Sequence, residues 1–350
     1  MTQIHVQQAA TESAPYYWAI EQSYKTGKFT DTSEVFTPQA LVEEFLCHVA
    51  VEKKSCLVLF NIEFVVYLIY NRGVDPRMIT FYGSSTNKRR ILARLGVTNY
   101  LEDLNTDMRF DVVVGNPPYQ RADNQAKRWT LWQEILAKAL VLGDTVALVV
   151  PQSVTGPGSA WESIRAHCEI LNLDVARHFT VGSTFCWFVA NTQECVSATK
   201  IITATDTMLL DCTEQPFLPM ELNTESLTLL KTLQQRARRQ WQRGELHTSK
   251  RELFSDNGRF SVMHTNAQNL CTDYDHPNRS KIRVAVSLSG YPQFRVLQEC
   301  YASQAVFWTE FPDLASAQKF ADECNGEEIQ QIMRQFKWSG WNSREVISLL

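Results

Sequence analysis

An apolar run, Phe110-Asp-Val-Val-Val-Gly115, leads straight into Asn116-Pro117-Pro118-Tyr119. Two successive prolines cannot donate to a strand ladder and hold the backbone extended, which places Asn116 and Tyr119 at the carboxyl edge of a sheet. Open α/β sheets keep their ligands at that edge. Asn116 offers an acceptor carbonyl, Pro117 a main-chain carbonyl, and Tyr119 a flat apolar face. Two acceptors beside a stacking plane suit the exocyclic NH2 of a planar base.

The elements that must position these groups follow from periodicity. Thr37-Pro38 reads as an N-cap with proline at the first helical position, and Leu41, Val42, Phe45 and Leu46 predict a helix from Gln39 to about Ala50. Strands are expected at 56–60, 79–82, 98–101, 110–115, 145–150, 184–190 and 200–203, with helices at 63–70, 88–95, 129–141, 161–171 and 227–241. Strands alternating with helices predict a doubly wound, Rossmann-like α/β domain. The expected organisation is an N-terminal segment at 1–30, a catalytic domain at 31–205 and a C-terminal α+β domain at 206–350.

Composition sets the outer bounds. The 350 residues are 44% hydrophobic and 11% aromatic, which excludes disorder, and the formal net charge of −4 excludes a uniformly basic nucleic-acid coat. No run of about 18 apolar residues and no basic start followed by an apolar stretch is present, so a cytoplasmic protein without membrane spans is expected. The nine cysteines are scattered, without a Cys-x-x-Cys or a spaced His pair, so no metal site is expected.

Charge is instead local. From Arg236 to Arg251 there are six cations, Arg236, Arg238, Arg239, Arg243, Lys250 and Arg251, against one acid, Glu245. Trp241 and His247 are interleaved with them, and a second basic stretch carries Arg279, Lys281 and Arg283. Such patches are either solvated helix ends or contacts to backbone phosphates.

Asn-Pro-Pro-Tyr after an apolar strand resembles the catalytic motif of N6-adenine DNA methyltransferases of the restriction-modification type. Phe36-Thr37-Pro38 resembles the segment that opens their catalytic domain, and Asp103-Leu104 the pair placed around the cofactor adenine. The stretch His178-Phe179 to Phe185 resembles the loop and strand that supply an aromatic to the target base. The resemblance covers residues 31–205 and implies S-adenosyl-L-methionine as cofactor and double-stranded DNA as substrate. It further implies a C-terminal target-recognition domain, a companion restriction enzyme or partner subunit, and a monomer acting on an asymmetric site.

Under that resemblance Asn116 and Pro117 would accept the two N–H bonds of adenine N6, pulling the amine toward tetrahedral geometry. The base would leave the duplex and stack on Tyr119, with Phe179 as a second aromatic contact. Phe36, Thr37, Pro38, Asn61, Glu63, Ser84, Asp103, Leu104 and Asn116 are the expected cofactor residues. Two departures stand out: Phe60-Asn-Ile-Glu63 lacks the glycine loop of the family, and Tyr82-Gly-Ser-Ser85 lacks the carboxylate usual at the end of the second strand. Two alternatives therefore stay open, a DNA-recognition protein with weak or partner-dependent cofactor binding, acting in recognition or anti-restriction, and a methyltransferase for RNA or protein amides.

Overall fold

The computed structural model describes residues 37–83, 86–105, 107–119, 131–179, 184–235, 238–255, 257–266, 269–338 and 342–350. Phe36, Ser84 and Arg236 lie outside the described residues. The chain divides into two compact units, one running to Val154 and resuming over Gly158–Pro216, the other formed by Thr155–Pro157 and Phe217–Leu350.

In the first unit, strands β1 (Cys56–Leu59), β2 (Ile79–Tyr82), β3 (Asn99–Leu101), β4 (Phe110–Gly115), β5 (Gly143–Pro151), β6 (Cys168–Asn172), β7 (Phe185–Asn191), β8 (Thr199–Ile202) and β9 (Thr207–Leu210) share one sheet. Their order is β3-β2-β1-β4-β5-β7-β6-β8-β9. The first five pair in parallel, and β7 enters antiparallel between β5 and β6. This is the doubly wound, Rossmann-like α/β arrangement, with strand order reversing between β1 and β4.

Strands covered on both faces need continuous apolar runs. Cys-Leu-Val-Leu in β1 is buried throughout, and in β4 only Asp111 is partly exposed. Helices α1 (Gln39–Leu46), α2 (Ile62–Tyr70), α3 (Thr86–Arg94), α4 (Leu131–Leu142) and α5 (Ser159–Ile164) accompany these strands. The α2 segment, Ile-Glu-Phe-Val-Val-Tyr-Leu, is buried from Ile62 to Leu68, as a helix apolar on nearly every side must be.

Close approach of β1 to β4 depends on a residue without a side chain. A Cβ on Gly115 would stand 2.6 Å from the Leu59 carbonyl oxygen, a backbone atom that cannot swing away. Gly115→Ala should therefore destabilise the first unit by about 1–3 kcal/mol, read as a lower denaturation midpoint. An unchanged midpoint would mean that this approach is not required.

Two expected elements differ. The helix expected over 161–171 stops at Ile164, and Cys168–Asn172 becomes β6, pairing with both β7 and β8. A short apolar run fits either period, and the vacancy in the sheet decides it. In the second unit, the helix expected from Leu227 to Trp241 is α6 (Thr224–Gln234), started by an Asn223–Ser226 capping box.

That second unit holds two sheets. Strands β10 (Gln242–Arg243), β13 (Ile282–Ser287), β14 (Phe294–Leu297) and β16 (Val306–Phe311) pair in the order β10-β16-β13-β14. Strands β11 (Phe260–Met263), β12 (Asn269–Thr272) and β15 (Tyr301–Ala302) pair as β12-β11-β15. Helices α7 (Leu314–Asn325), α8 (Glu327–Gln335) and α9 (Arg344–Ile347) close the chain. Trp241, Phe294, Phe320 and Phe336 belong to one core, giving an α+β unit. Among the described residues, no helix is long and apolar enough to cross a membrane, and no cluster of three metal-ligating side chains occurs.

Candidate active site

Parallel pairing lines up the strand ends. Leu101, Tyr82, Leu59, Gly115 and Leu148 are register partners across β3, β2, β1, β4 and β5. One residue further on lie Phe60 after β1 and Asn116 after β4. They flank the point where strand order reverses, the crevice in which such sheets hold ligands.

Asn116 is almost completely buried, and its main-chain N–H, Nδ2 and Oδ1 each have a partner. Its main-chain N–H donates to Asn61 Oδ1 at 3.2 Å, and its Nδ2 donates to Thr37 Oγ1 at 3.1 Å. The Tyr119 hydroxyl donates to Asn116 Oδ1. Thr37 N–H donates in turn to Glu63 Oε1 at 3.0 Å. Three segments distant in sequence, around Thr37, Asn61 and Asn116, thus meet at this asparagine.

Local structure explains two of these contacts. Pro38, not Thr37, occupies the N-cap of α1, its carbonyl accepting from Leu41 and Val42, which leaves the Thr37 hydroxyl turned to Asn116. The expected Thr37 cap is corrected accordingly. Asn61 is the N-cap of α2 yet makes no side-chain cap, since its Oδ1 serves the Asn116 N–H. Glu63 lies in the first turn of α2, where a carboxylate suits the helix dipole.

A partly exposed ion cluster ties α1 to β6, to β7 and to the segment after β6. Glu44 accepts from Arg177 at 2.7 Å, from Asn172 at 2.6 Å and from Trp187 at 3.2 Å, and lies 2.9 Å from His178. Burial alone would raise its carboxyl, but the hydrogen bonds from Arg177, His178 and Trp187 outweigh it and hold the group below the ordinary carboxylate range. The helix that follows Thr37 is thereby anchored through its own face.

The aromatic side of the site is a ladder. Tyr119 stacks on Phe185 with ring centres 5.1 Å apart and planes 27° apart, and Phe179 tilts against Phe185 at 5.0 Å. Phe179 therefore reaches Tyr119 through Phe185, a residue absent from the expected contacts. Its place at the first position of β7, opposite Pro151, was the available signal. Burial raises the Tyr119 phenol far above its ordinary range, with nearby Cys186 adding to the shift and the Asn116 hydrogen bond opposing it. The hydroxyl stays protonated and acts as a donor.

On the donor side, the missing glycine has a structural answer. Phe60 takes φ of 65°, the left-handed region that favours glycine, and Asn61 N–H donates to the Leu59 carbonyl at 2.8 Å across it. This tight turn stores strain of about 1–3 kcal/mol. Three contacts hold it: the Phe60 N–H donates to the Tyr82 carbonyl at 2.7 Å, the Phe60 ring meets Tyr82 edge-on at 5.1 Å, and the buried Lys88 Nζ donates to the Phe60 carbonyl at 2.6 Å. Lys88 is a further site residue that the sequence reading missed, because helical periodicity does not reveal that a lysine points inward.

Asp103 and Leu104 follow β3. Leu104 is buried, whereas Asp103 is exposed and accepts from Asn105 N–H at 2.9 Å, which with the Asn105 amide lowers its carboxyl. Phe60 and Tyr82, in edge-on contact, give an aromatic wall after β1 and at the end of β2, and after β3 come the buried Leu104 and the ionised acceptor Asp103. That donor set fits a nucleoside bearing ribose hydroxyls.

Residues 79–142 match the Eco57I restriction-modification methylase family. The matched segment runs from β2 to the end of α4 and contains the whole of Asn116 to Tyr119. The restriction-modification resemblance read from the sequence is thereby shown for the segment that carries the tetrapeptide. Among solved structures, the chain is similar to the type IIG restriction endonuclease BpuSI at 11% identity and a TM-score of 0.43, over 95% of this chain and 60% of that one. It is similar to a chain of a type I restriction-modification system at 13% identity and a TM-score of 0.40, over 57% of this chain and 50% of that one. A Listeria monocytogenes protein described as a class I S-adenosylmethionine-dependent methyltransferase matches at 12% identity and a TM-score of 0.39, over 58% of this chain and 74% of that one. The chain thus spans 50% and 60% of the length of the two restriction-modification chains. Comparison with curated proteins gives no match.

Outside this methylase segment, the expected phosphate contacts of the second unit sort into two groups. Arg238, Lys250 and Arg251 are exposed, and exposed Arg239 lies over the Phe311 and Phe320 rings at 4.4 and 4.7 Å. Arg243, also exposed, donates to the Gln304 carbonyl at 2.7 Å. In the other stretch, Arg279 pairs with Asp275 and Glu299, and Lys281 with Glu310 at 2.8 Å. Arg283 is wholly buried. Trp241, which as an interleaved aromatic favoured nucleic-acid contact, is buried in the core.

Proposed function

We propose that this protein transfers a methyl group from S-adenosyl-L-methionine to N6 of an adenine flipped out of duplex DNA. The observation that carries the reading is the Asn116 amide, held at the β1/β4 crevice with its Oδ1 toward Tyr119, inside the segment that matches the methylase family. S-adenosyl-L-methionine supplies an electrophilic methyl group when bound, held by the aromatic wall of Phe60 and Tyr82 and by Leu104, with Asp103 as acceptor. Asn61 and Glu63 follow Phe60 in the chain, and Glu63 accepts from the N–H of Thr37, the residue before Pro38.

The chain's own groups act on the amine. The adenine N6 lone pair is delocalised into its ring, so it is a weak nucleophile. Asn116 Oδ1 and the Pro117 carbonyl accept its two N–H bonds and turn the lone pair toward the methyl group. The incoming amine replaces the Tyr119 hydroxyl at Oδ1, and the base stacks on the aromatic ladder, which offsets the few kcal/mol lost on unstacking. Transfer is direct and requires no covalent enzyme intermediate.

Incubation with labelled S-adenosyl-L-methionine and mixed-sequence duplex DNA should place label in N6-methyladenine after hydrolysis. Retention of DNA with neither label nor donor binding would favour the recognition reading instead. The observation on that side is the strained, lysine-tied turn at Phe60.

Phosphate contact falls to the exposed cations that make no ion pair among the described residues. Neutralising Arg238 and Arg239 should weaken binding to all duplexes alike and lower the slope of log affinity against log salt by about 1.8, at roughly 0.9 per phosphate. The same change at Arg279 and Lys281, already paired with acids, should alter the slope less. Equal slopes for the wild type and the Arg238/Arg239 variant would return those residues to a solvated surface.

A further inference from the structure

We infer that Thr37 is a positioning residue for methyl transfer: its hydroxyl accepts from Asn116 Nδ2 and so keeps Oδ1 facing the base, rather than holding the donor as the sequence resemblance implies. The inference rests on the adenine-methylation reading above.

An asparagine amide is chemically two-faced. Turned by 180° about its last torsion, it would present an NH2 to another NH2, two donors with nothing to accept. The site works only with the carbonyl forward, and something behind the amide has to select that orientation. Thr37 Oγ1 stands there, 3.1 Å from Nδ2, on a residue with no solvent exposure.

Thr37 is itself held. Its N–H donates to Glu63 Oε1 at 3.0 Å, and Glu63 is fixed in the first turn of the buried helix α2. The following Pro38 begins α1, which Glu44 ties to Arg177, Asn172 and Trp187. A proline at 38 restricts the backbone of Thr37 to extended conformations, which removes freedom from the residue that does the holding. The Thr-Pro pair thus reads as a hydroxyl oxygen held in place behind the amide, where it accepts from Nδ2.

The test compares Thr37→Val with Thr37→Ser. Valine keeps the branched shape and the N–H to Glu63 but lacks the acceptor, whereas serine keeps it. For Thr37→Val, kcat should fall about 10²-fold from misorientation of the amide, with the donor KM little changed, and Thr37→Ser should recover most of the rate. Independently of activity, the Asn116 side-chain NH2, assigned by its loss in Asn116→Ala, should exchange with water about tenfold faster in Thr37→Val.

A raised donor KM with unchanged kcat would place Thr37 against the donor and overturn the inference. Should the wild type transfer no methyl group, the methylation reading fails by itself. Amide exchange then decides the rest: faster exchange in Thr37→Val supports the positioning contact, and unchanged exchange removes it. A matching denaturation midpoint for the valine and serine variants separates a local change from partial unfolding.

Discussion

Asn116→Ala should abolish measurable methyl transfer, lowering kcat by about 10³-fold or more while leaving duplex binding within a few-fold of wild type. The substitution removes the Oδ1 acceptor at the crevice and, with it, the partner of both Thr37 and Tyr119. Donor and base can still enter, but nothing localises the amine lone pair. Asn116→Asp is a sharper companion, because a carboxylate retains acceptor oxygens while losing the Nδ2–H that faces Thr37.

Tyr119 divides the same effect into parts. In Tyr119→Phe the ring still stacks on Phe185, and the hydroxyl that occupies Oδ1 is gone, so most activity should survive. Tyr119→Ala removes the stacking face and should cost about 1–3 kcal/mol of base binding. Single-turnover methylation of duplex DNA separates these outcomes. Full activity in Asn116→Ala would sink the mechanism, whatever the other variants did.

Glu245→Ala should be the most damaging change in the second unit. Arg283 has no exposed side-chain surface, and its NH1 pairs with Glu245 at 3.2 Å. Arg283 also donates to the Cys300 carbonyl and lies over the Trp308 ring at 4.9 Å, while Glu245 accepts from Ala302 N–H at 3.2 Å. Removing the carboxylate leaves a guanidinium buried without its counter-charge, at about 3–5 kcal/mol.

Thermal unfolding of the second unit should therefore shift down by about 10 °C or more. The pair is not required as a pair. Replacing both partners together, Glu245→Leu with Arg283→Met, should recover much of the loss, because no charge then remains unpaired. A Glu245→Ala protein as stable as wild type would mean that solvent reaches Arg283. The site proposed for methyl transfer belongs to the other unit, so weakened DNA binding with retained donor binding is the functional consequence expected under that proposal.

Much of the first unit is legible because its strands are covered on both faces. Cys56–Leu59, Ile79–Tyr82 and Phe110–Gly115 are short continuous apolar runs, and the structure has strands at each. Ambiguity appears where one apolar run satisfies two periods. Cys168–Asn172 reads as the tail of a helix, yet pairing with β7 and β8 makes it β6.

The candidate site divides along the same line. Side-chain chemistry at Asn116, Pro117 and Tyr119 is visible locally, since two prolines after a strand restrict the backbone regardless of what surrounds it. The partners of Asn116 are not, because Asn61 and Thr37 lie 55 and 79 residues away in sequence. Phe60 in a left-handed turn is equally hidden: the Tyr82 ring and carbonyl and the Lys88 side chain, which keep a phenylalanine where glycine would be unstrained, all come from other elements.

Sequence by itself determined the alternation of strands and helices and the proline-fixed tetrapeptide at a strand's end. These are properties of residues within a few positions of each other. Tertiary structure alone decided which way Thr37 faces, that Phe185 joins Tyr119 to Phe179, and that Arg283 is neutralised inside the fold while Arg238 and Arg239 remain at the surface. Burial and hydrogen-bond partnership arise from distant segments brought together, and a linear pattern does not carry that information.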